Sequence, residues 1–307
     1  MKRLALGLGV LAAAGAAVGL WLTAPVPVAA ERLQRIAALD GDAAAGEMLF
    51  WAGGCASCHA APGAKDDARL LLSGGVRLTS DFGTFIAPNI SPDPQAGIGS
   101  WSISDFANAM LAGVSPDGRH YYPAFPYGSY TRMTDGDIAD LFAFMKTLPE
   151  SQVASLPHEV GFPFNIRRSL GGWKLLFFTD APRENVNSDD PLIARGQYLV
   201  EGPGHCGECH TPRNPVGGFV TNAWLSGAQN PEGEGVIPNL TPGGKSIGGW
   251  SAADIAYYLE SGFTPDFDSV GGSMVEVQAN MAKLKSGDRD AIAAYLKALP
   301  ERANGWE

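Results

Sequence analysis

The chain of 307 residues contains four cysteines, and they stand in two pairs that are each followed directly by a histidine. Two thiols one helical turn apart can each add to a vinyl group of haem and form a thioether bond, and the adjacent histidine then lies under the iron. The spacing therefore predicts two covalently bound haem c groups. The predicted attachment residues are Cys55, Cys58, Cys206 and Cys209, and the predicted iron ligands are His59 and His210.

Three other uses of paired cysteines agree less well with this pattern. A redox-active CxxC pair is expected in a thioredoxin-like βαβ pattern, which the sequence does not show. A zinc site built from both pairs would not need a histidine at the same place twice. A disulfide within a CxxC segment closes a short loop and constrains little of the chain. Two CxxCH segments without any further cysteine therefore favour haem attachment.

Each CxxCH segment is followed by the same stretch of sequence. The segment Pro88-Asn-Ile-Ser-Pro92 recurs as Pro238-Asn-Leu-Thr-Pro242, an offset of 150 residues, and the two cysteine pairs are separated by almost the same interval. The chain is therefore interpreted as a duplicated unit. The predicted organisation is an N-terminal segment 1–30, a first domain 31–149, a linker 150–186 and a second domain 187–307.

Each motif is also expected to lie between two matching helices. Gly46 precedes the first motif with Phe50 four positions later, and Gly196 precedes the second with Val200, so each pair lies on one helical face. Each domain ends in an amphipathic helix with acids in its first turn and lysine in its last, followed by Leu-Pro. Because glycine has no side chain, the first helix can cross the last one closely. The predicted apolar contacts come from Leu141 and Phe144 in the first domain and from Ile292 and Tyr295 in the second.

This arrangement resembles class I cytochrome c, in which the first and last helices cross over the haem. The resemblance implies an all-α fold of two tandem class I cytochrome c domains. The linker, residues 150–186, is expected to pack along both domains because it is too apolar and aromatic for a flexible tether.

Longer stretches are similar to the cytochrome subunits of membrane-bound alcohol and aldehyde dehydrogenases. These stretches are residues 116–127, 162–167 and 202–213, and the similarity extends from about Gly46 to about Pro300. The resemblance implies a periplasmic dehydrogenase as electron donor and a cytochrome or an oxidase as acceptor. Those subunits typically hold three haems, whereas this chain has two CxxCH motifs.

Class I haems usually take a methionine sulfur as the sixth iron ligand, which raises the reduction potential and closes the iron to small ligands. In the second domain, Met274 in Gly-Gly-Ser-Met is the predicted ligand and Met281 is the alternative.

The sixth ligand of the first haem has several candidates. By the repeat offset, Met274 corresponds to Phe125, which cannot bind iron. Met133, eight residues further on, is the predicted ligand, and a core position is its competing interpretation. The remaining alternatives are His120, which would make a bis-histidine haem of lower potential, and an open sixth position.

The N-terminus has the features of an export signal. Two basic residues precede an uncharged run, residues 4–22. This run is longer than the ~7–15 apolar residues of a signal peptide and approaches the ~20 that span a bilayer. We therefore expect an N-terminal transmembrane helix that holds the protein on the periplasmic side of the bacterial inner membrane. Because Val28-Ala29-Ala30 resembles a cleavage site, a soluble periplasmic protein is the alternative.

The charge pattern argues against nucleic acid as a partner. The formal net charge is −10, and removal of residues 1–30, whose only charged residues are Lys2 and Arg3, would leave −12. Nucleic-acid binding needs a basic face, so nucleic acid is not expected as a partner.

The sequence supports two hypotheses of function. The leading one is a dihaem cytochrome that transfers electrons, because no separate catalytic constellation is visible. The alternative is a dihaem redox enzyme, of the peroxidase or thiosulfate dehydrogenase type, that uses the His59 haem for catalysis. Its main support is the uncertain sixth ligand of that haem.

Overall fold

The computed structural model describes residues 2–186, 189–231, 233–245 and 247–307, and this part of the chain is mostly helical. Its α-helices are α1 (Lys2–Leu22), α2 (Ala30–Ala37), α3 (Ala43–Ala52), α4 (Cys55–His59), α5 (Ile103–Ala112), α6 (Tyr127–Tyr130), α7 (Asp135–Met145), α8 (Ser169–Phe177), α9 (Pro191–Glu201), α10 (Gly207–His210), α11 (Ala252–Ser261), α12 (Met274–Met281) and α13 (Ser286–Ala298). Short antiparallel hairpins pair β1 (Arg77–Ser80) with β2 (Gly83–Ile86) and β3 (Ala228–Gln229) with β4 (Val236–Ile237). Below, the first module denotes residues 31–149 and the second module residues 189–307.

The predicted helix crossings are confirmed in both modules. Helix α3 packs across α7, and α9 packs across α13. A Cβ atom on Gly46 would lie 2.0 Å from the carbonyl oxygen of Asp140, and one on Gly196 would lie 1.9 Å from that of Ala291. Both distances are far below van der Waals contact, so only glycine permits each crossing.

The helix that follows the repeated proline segment begins in the same way in both modules. Ser102 and Asp105 form a capping box at the start of α5, and Ser251 and Asp254 form one at the start of α11. In each box the serine hydroxyl accepts a hydrogen bond from the aspartate N–H, and the aspartate carboxylate accepts from the serine N–H. The repeated sequence therefore encodes a repeated helix start.

Each module has its own apolar core. In the first core, Phe50 is fully buried and its ring centroid lies 5.2 Å from that of Phe144. In the second, Leu199, Ile255 and Tyr295 are fully buried. The residues predicted to make the apolar contacts of the crossing helices all belong to these clusters, Leu141 and Phe144 to the first and Ile292 and Tyr295 to the second.

The segment between the modules contacts both of them. Lys174 in α8 donates hydrogen bonds to the carbonyl oxygens of Ala112 and Gly113, which end α5 of the first module. Trp173 donates its indole N–H to the carbonyl of Val216 in the second module, at 3.1 Å. These contacts agree with a packed linker. The predicted domain boundary at residue 187 lies outside the described residues.

The predicted N-terminal transmembrane helix is wrong. The uncharged run is helical as part of α1, which has 21 residues, but no helix among the described residues is long and apolar enough to cross a membrane. Alanine and glycine make up nearly half of α1, and they contribute much less to the free energy of transfer from water than leucine or phenylalanine do. The corrected fold class, for the residues that the structure describes, is mostly helical with two short β-hairpins and without the transmembrane helix.

Candidate functional site

The first CxxCH segment is a helix held close to the end of α3. Cys55 begins α4 directly after Gly54, which has a left-handed backbone conformation with φ of 60°. Glycine adopts this conformation without a steric penalty, so the chain can turn sharply from α3 into α4. In the second module, α10 brings Cys209 and His210 into one short helix, with Cys206 at its N-cap position. Both motifs therefore present their cysteines and histidine on a helical turn.

The two motif histidines are oriented by the same hydrogen bond. Nδ1 of His59 donates to the carbonyl oxygen of Pro88 at 2.8 Å, and Nδ1 of His210 donates to that of Pro238 at 2.7 Å. A carbonyl oxygen only accepts, so the proton of each neutral imidazole is assigned to Nδ1. Nε2 then has a free lone pair, as an axial ligand of haem iron requires. The residues present thus fit a haem at each motif, and the two prolines are the first residues of the repeated segment.

The backbone of each motif histidine is fixed in the same way. The carbonyl of His59 accepts a hydrogen bond from the N–H of Gly74 at 2.7 Å, and the carbonyl of His210 accepts one from Gly227 at 2.8 Å. Both glycines have positive φ values, 75° and 83°. Ring and backbone are therefore held together, which leaves each histidine little freedom to rotate.

Burial shifts the pKa values of the motif histidines and of two motif cysteines. It lowers the pKa of both motif imidazoles, and the hydrogen bonds to Pro88 and Pro238 offset part of that shift. A lowered pKa favours the neutral imidazole, which is the form that binds iron. Burial also raises the pKa of the Cys55 and Cys206 thiols to about 12.

The structure places the candidate sixth ligands in different surroundings. Met133 is 1% exposed and belongs to the first core, against which Cys55 also packs. Met274 is partly buried at the start of α12 and packs against the second core, as Cys206 does. Met281, the alternative in the second module, is a core residue at 4% exposure. Each core therefore contacts one motif cysteine. The first core contains the candidate Met133, and the second contains Met281 and contacts Met274.

The remaining candidate in the first module, His120, has another contact. It is buried, and its Nε2 donates to the carbonyl oxygen of Thr23 at 3.0 Å. Arg168 also donates to the Thr23 hydroxyl, at 3.1 Å. His120 thus helps to hold the N-terminal segment against the first module and the linker.

Sequence reasoning missed a buried carboxylate at the end of α9. Glu201 is 1% exposed and accepts hydrogen bonds from the hydroxyl of Tyr295 at 2.6 Å and from the N–H of Arg183 at 2.6 Å. The Arg132 guanidinium of the first module lies 3.8 Å from the same carboxylate, so a buried ion pair joins the two modules. By the glycine spacing, Glu201 corresponds to Trp51, so the repeat itself gave no signal for a polar group there.

The contacts between the two CxxCH regions were not predicted from the sequence either. His205, the residue directly before Cys206, donates from Nε2 to the carbonyl oxygen of Gly53 at 3.1 Å. Asn280 in α12 donates to the hydroxyl of Ser57, which lies within the first motif, at 2.8 Å. The only signal in the sequence was the position of His205 beside a motif cysteine.

Comparison with known proteins gives consistent results. Residues 43–149 match the cytochrome c family. The chain is 56% identical over 300 residues to a protein of Cereibacter sphaeroides named Diheme cytochrome c-type, and the match covers 97% of this chain and 98% of that protein. It is 36% identical over 270 residues to the cytochrome c subunit of alcohol dehydrogenase (quinone) of Gluconobacter oxydans, and 34% identical over 303 residues to the fructose dehydrogenase cytochrome subunit of Gluconobacter japonicus. These two matches cover 85% and 97% of this chain, but only 55% and 59% of those relatives.

Proposed function

The chain belongs to the dihaem c-type cytochromes, and from this premise we propose that it carries two covalently bound haem c groups and transfers electrons in the periplasm. The observation that carries the proposal is the repeated hydrogen bond from a motif histidine to a proline carbonyl, to Pro88 in one module and to Pro238 in the other. A structural disulfide gives no reason for this bond to recur, and a zinc site built from both pairs would not need a histidine at the same place twice. Two haem sites account for the repeated bond, because each proximal imidazole would keep Nε2 free for iron while its Nδ1–H donates to a carbonyl.

The protein residues hold the cofactor and set its surroundings. We assign thioether attachment to Cys55, Cys58, Cys206 and Cys209, and proximal ligation to His59 and His210. When bound, each haem iron accepts and releases one electron. The proline carbonyls keep each imidazole in the orientation and tautomer that binds iron, and the two apolar cores exclude water from the attachment side.

We assign the sixth ligand positions to Met133 in the first module and Met274 in the second. Each methionine packs in or against the core that also contacts an attachment cysteine of its module. A thioether sulfur at both irons would close them to small ligands and suit electron transfer rather than catalysis.

The proposal includes a division of the chain into functional parts. Residues 31–149 and 187–307 each form one haem-binding unit, and residues 150–186 fix their relative position. The contacts of Lys174 with the first module and of Trp173 with the second support this division.

We propose that the electron donor is a periplasmic dehydrogenase and that the acceptor is a cytochrome or an oxidase. The support is the similarity to cytochrome subunits of dehydrogenases, which extends over more than four fifths of this chain. The net charge of −10 favours a docking partner with a positively charged face.

Haem stoichiometry tests the assignment of the two attachment sites. We expect two haems per wild-type chain, one in the Cys55→Ala/Cys58→Ala variant and one in the Cys206→Ala/Cys209→Ala variant, measured as pyridine haemochrome against protein mass. Each variant is the control for the other, because each keeps one motif intact. Two haems remaining in either variant would contradict the assignment.

Carbon monoxide binding tests the sixth ligands and the function together. We expect no appreciable change in the spectrum of the fully reduced protein under carbon monoxide, because both irons are closed by methionine. A rapid change in about half of the haem would indicate one open iron and would favour a dihaem redox enzyme that uses the His59 haem.

A further inference from the structure

The residue before the second motif contacts the segment before the first. Nε2 of His205 donates to the carbonyl oxygen of Gly53 at 3.1 Å, and the Tyr130 hydroxyl donates to the same oxygen at 2.9 Å. The rings of His205 and Tyr130 meet edge to face, with centroids 5.6 Å apart. His205 therefore has a defined position against the first module, although it belongs to the second.

The backbone of His205 supports a specific role for this contact. Its φ is 38°, in the left-handed region that residues with a side chain rarely adopt. Such a conformation persists only where surrounding contacts hold it. Here His205 donates its backbone N–H to the carbonyl of Gly202, and its own carbonyl accepts from the N–H of Glu208. Its side chain is held by the hydrogen bond to Gly53 and the packing on Tyr130.

A second contact also reaches the first CxxCH region from the second module. Asn280, which is fully buried, donates to Ser57 within the first motif at 2.8 Å, and it accepts from Arg69 at 2.5 Å. Asn280 lies in α12, the helix that begins at Met274. The residue next to Cys206 thus contacts the segment before the first motif, and the helix that carries the proposed sixth ligand of the second haem contacts the motif itself.

We propose that His205 is a positioning residue that couples the two haem sites through its hydrogen bond to Gly53. The route runs from Cys206 to the adjacent His205, across one N–H···O bond to Gly53, and along the backbone through Gly54 to Cys55. With a haem bound at each motif, this route would serve a one-electron exchange between the two sites, in which one site would be oxidised, the other reduced, and no proton transferred. This inference rests on the proposed function.

The route follows from how electron tunnelling depends on the intervening medium. Electronic coupling falls steeply across empty space and much less steeply along covalent bonds and hydrogen bonds. The described contact replaces a through-space gap between two polypeptide segments with one hydrogen bond.

Three variants of the dihaem protein test the proposal. His205→Phe keeps a ring against Tyr130 but removes the N–H donor, whereas His205→Gln places an amide N–H where Nε2 lies. Tyr130→Phe is the matched control, because it removes the other hydrogen bond to the same carbonyl oxygen and keeps an aromatic ring against His205. The rate of electron exchange between the haems is measured in half-reduced protein, from exchange between the hyperfine-shifted haem methyl resonances in proton NMR spectra. Both reduction potentials are measured by spectroelectrochemistry.

We expect His205→Phe to slow inter-haem exchange several-fold, with both potentials unchanged, and we expect His205→Gln and Tyr130→Phe to exchange at close to the wild-type rate. An unchanged rate in His205→Phe, or equal slowing in Tyr130→Phe, would overturn the proposal. So would a rate in His205→Gln as slow as in His205→Phe, since the role would then not depend on the N–H donor.

One further measurement does not depend on the folding of any variant. In the wild-type protein labelled with ¹⁵N on histidine, the Nε2 proton of His205 should be protected from exchange with water. A rapidly exchanging proton would contradict the hydrogen bond and the route. By contrast, a wild-type protein with fewer than two haems would refute the proposed function itself.

Discussion

The two modules hold their motif histidines identically but differ on the opposite side of the site. Each imidazole donates to the first proline of the repeated segment, and each module crosses its helices at a glycine. Before the last helix, however, the first module has Phe125 and the short helix α6, whereas the second has α12 with Met274 at its start. The modules are thus alike around the motif histidine and differ in the segment that carries the proposed sixth ligand.

The cores differ as well, at the end of the first helix of each pair. In the first module, Trp51 is buried and forms an aromatic group with Phe50 and Phe144. In the second, Glu201 takes the place of the tryptophan, and the Tyr295 hydroxyl donates to its carboxylate. Equivalent positions are thus held by aromatic packing in the first module and by a buried hydrogen bond in the second. Glu201 also pairs with Arg132 of the first module.

The largest effect is expected from the feature that the modules share. Gly46→Ala and Gly196→Ala each place a Cβ about 2 Å from a backbone carbonyl oxygen, so the crossing helices must separate. We expect the free energy of unfolding to fall by about 3 kcal/mol in either variant. Chemical denaturation monitored by circular dichroism measures it.

The matched controls are two glycines at the starts of the partner helices. A Cβ on Gly136 would meet no atom closer than 3.9 Å, and one on Gly287 would meet none within 4 Å. We expect Gly136→Ala and Gly287→Ala to be neutral or stabilising by up to about 1 kcal/mol. Equal losses at all four positions would show that the crossing distance is not the cause.

The next prediction tests the side on which the modules differ. Met133→Leu and Met274→Leu replace a sulfur with a hydrocarbon group of similar size. If each sulfur binds iron, each variant opens one of the two irons, lowers its potential and lets it bind carbon monoxide after reduction. Met281→Leu, a change in the second core, is the control and should leave both haems closed. If the spectrum of reduced Met133→Leu does not change under carbon monoxide, Met133 is a core residue and not an iron ligand. The two modules would then differ in the type of their sixth ligand.

A smaller effect is expected from the polar core of the second module. Tyr295→Phe removes the hydroxyl that donates to the buried Glu201 carboxylate at 2.6 Å. We expect the free energy of unfolding to fall by about 2 kcal/mol, because a buried charged acceptor loses a partner. Tyr258→Phe, at a partly buried tyrosine beside Trp250, should change it by no more than about 0.5 kcal/mol. Equal changes in the two variants would mean that the bond to Glu201 has no special weight.

The smallest predicted effect concerns the linker. Burial lowers the pKa of Lys174 from 10.5 to about 8, so the folded protein binds fewer protons there than the unfolded chain does between these values. The free energy of unfolding should therefore rise with pH from about 8 to about 10.5, by about 1 kcal/mol after allowance for solvent screening. Lys174→Met keeps most of the side chain and should lack this rise, measured as the difference from wild type at each pH. If the free energy of unfolding changes with pH in the same way in both proteins, Lys174 is not the source of the predicted rise.

Much of the site could be predicted because it depends on short spacings. The CxxCH segments place two thiols and a histidine within about one helical turn, and the glycine positions determine where the helices can cross. The acceptors at Pro88 and Pro238 lie 29 and 28 residues from the histidines. The repeat pointed to these segments, but not to the hydrogen bond. The transmembrane prediction failed because it counted uncharged residues without weighing how weakly alanine and glycine favour a bilayer.

What the sequence by itself determined is the chemistry of attachment and the duplicated helix crossing, because covalent spacing and the absence of a side chain act locally. What only the tertiary structure decided is how the two units meet. His205 and Gly53 are 152 residues apart, and so are not related by any local pattern. Their hydrogen bond exists because the second module packs against the first, around Tyr130, Asn280 and the buried pair of Arg132 with Glu201.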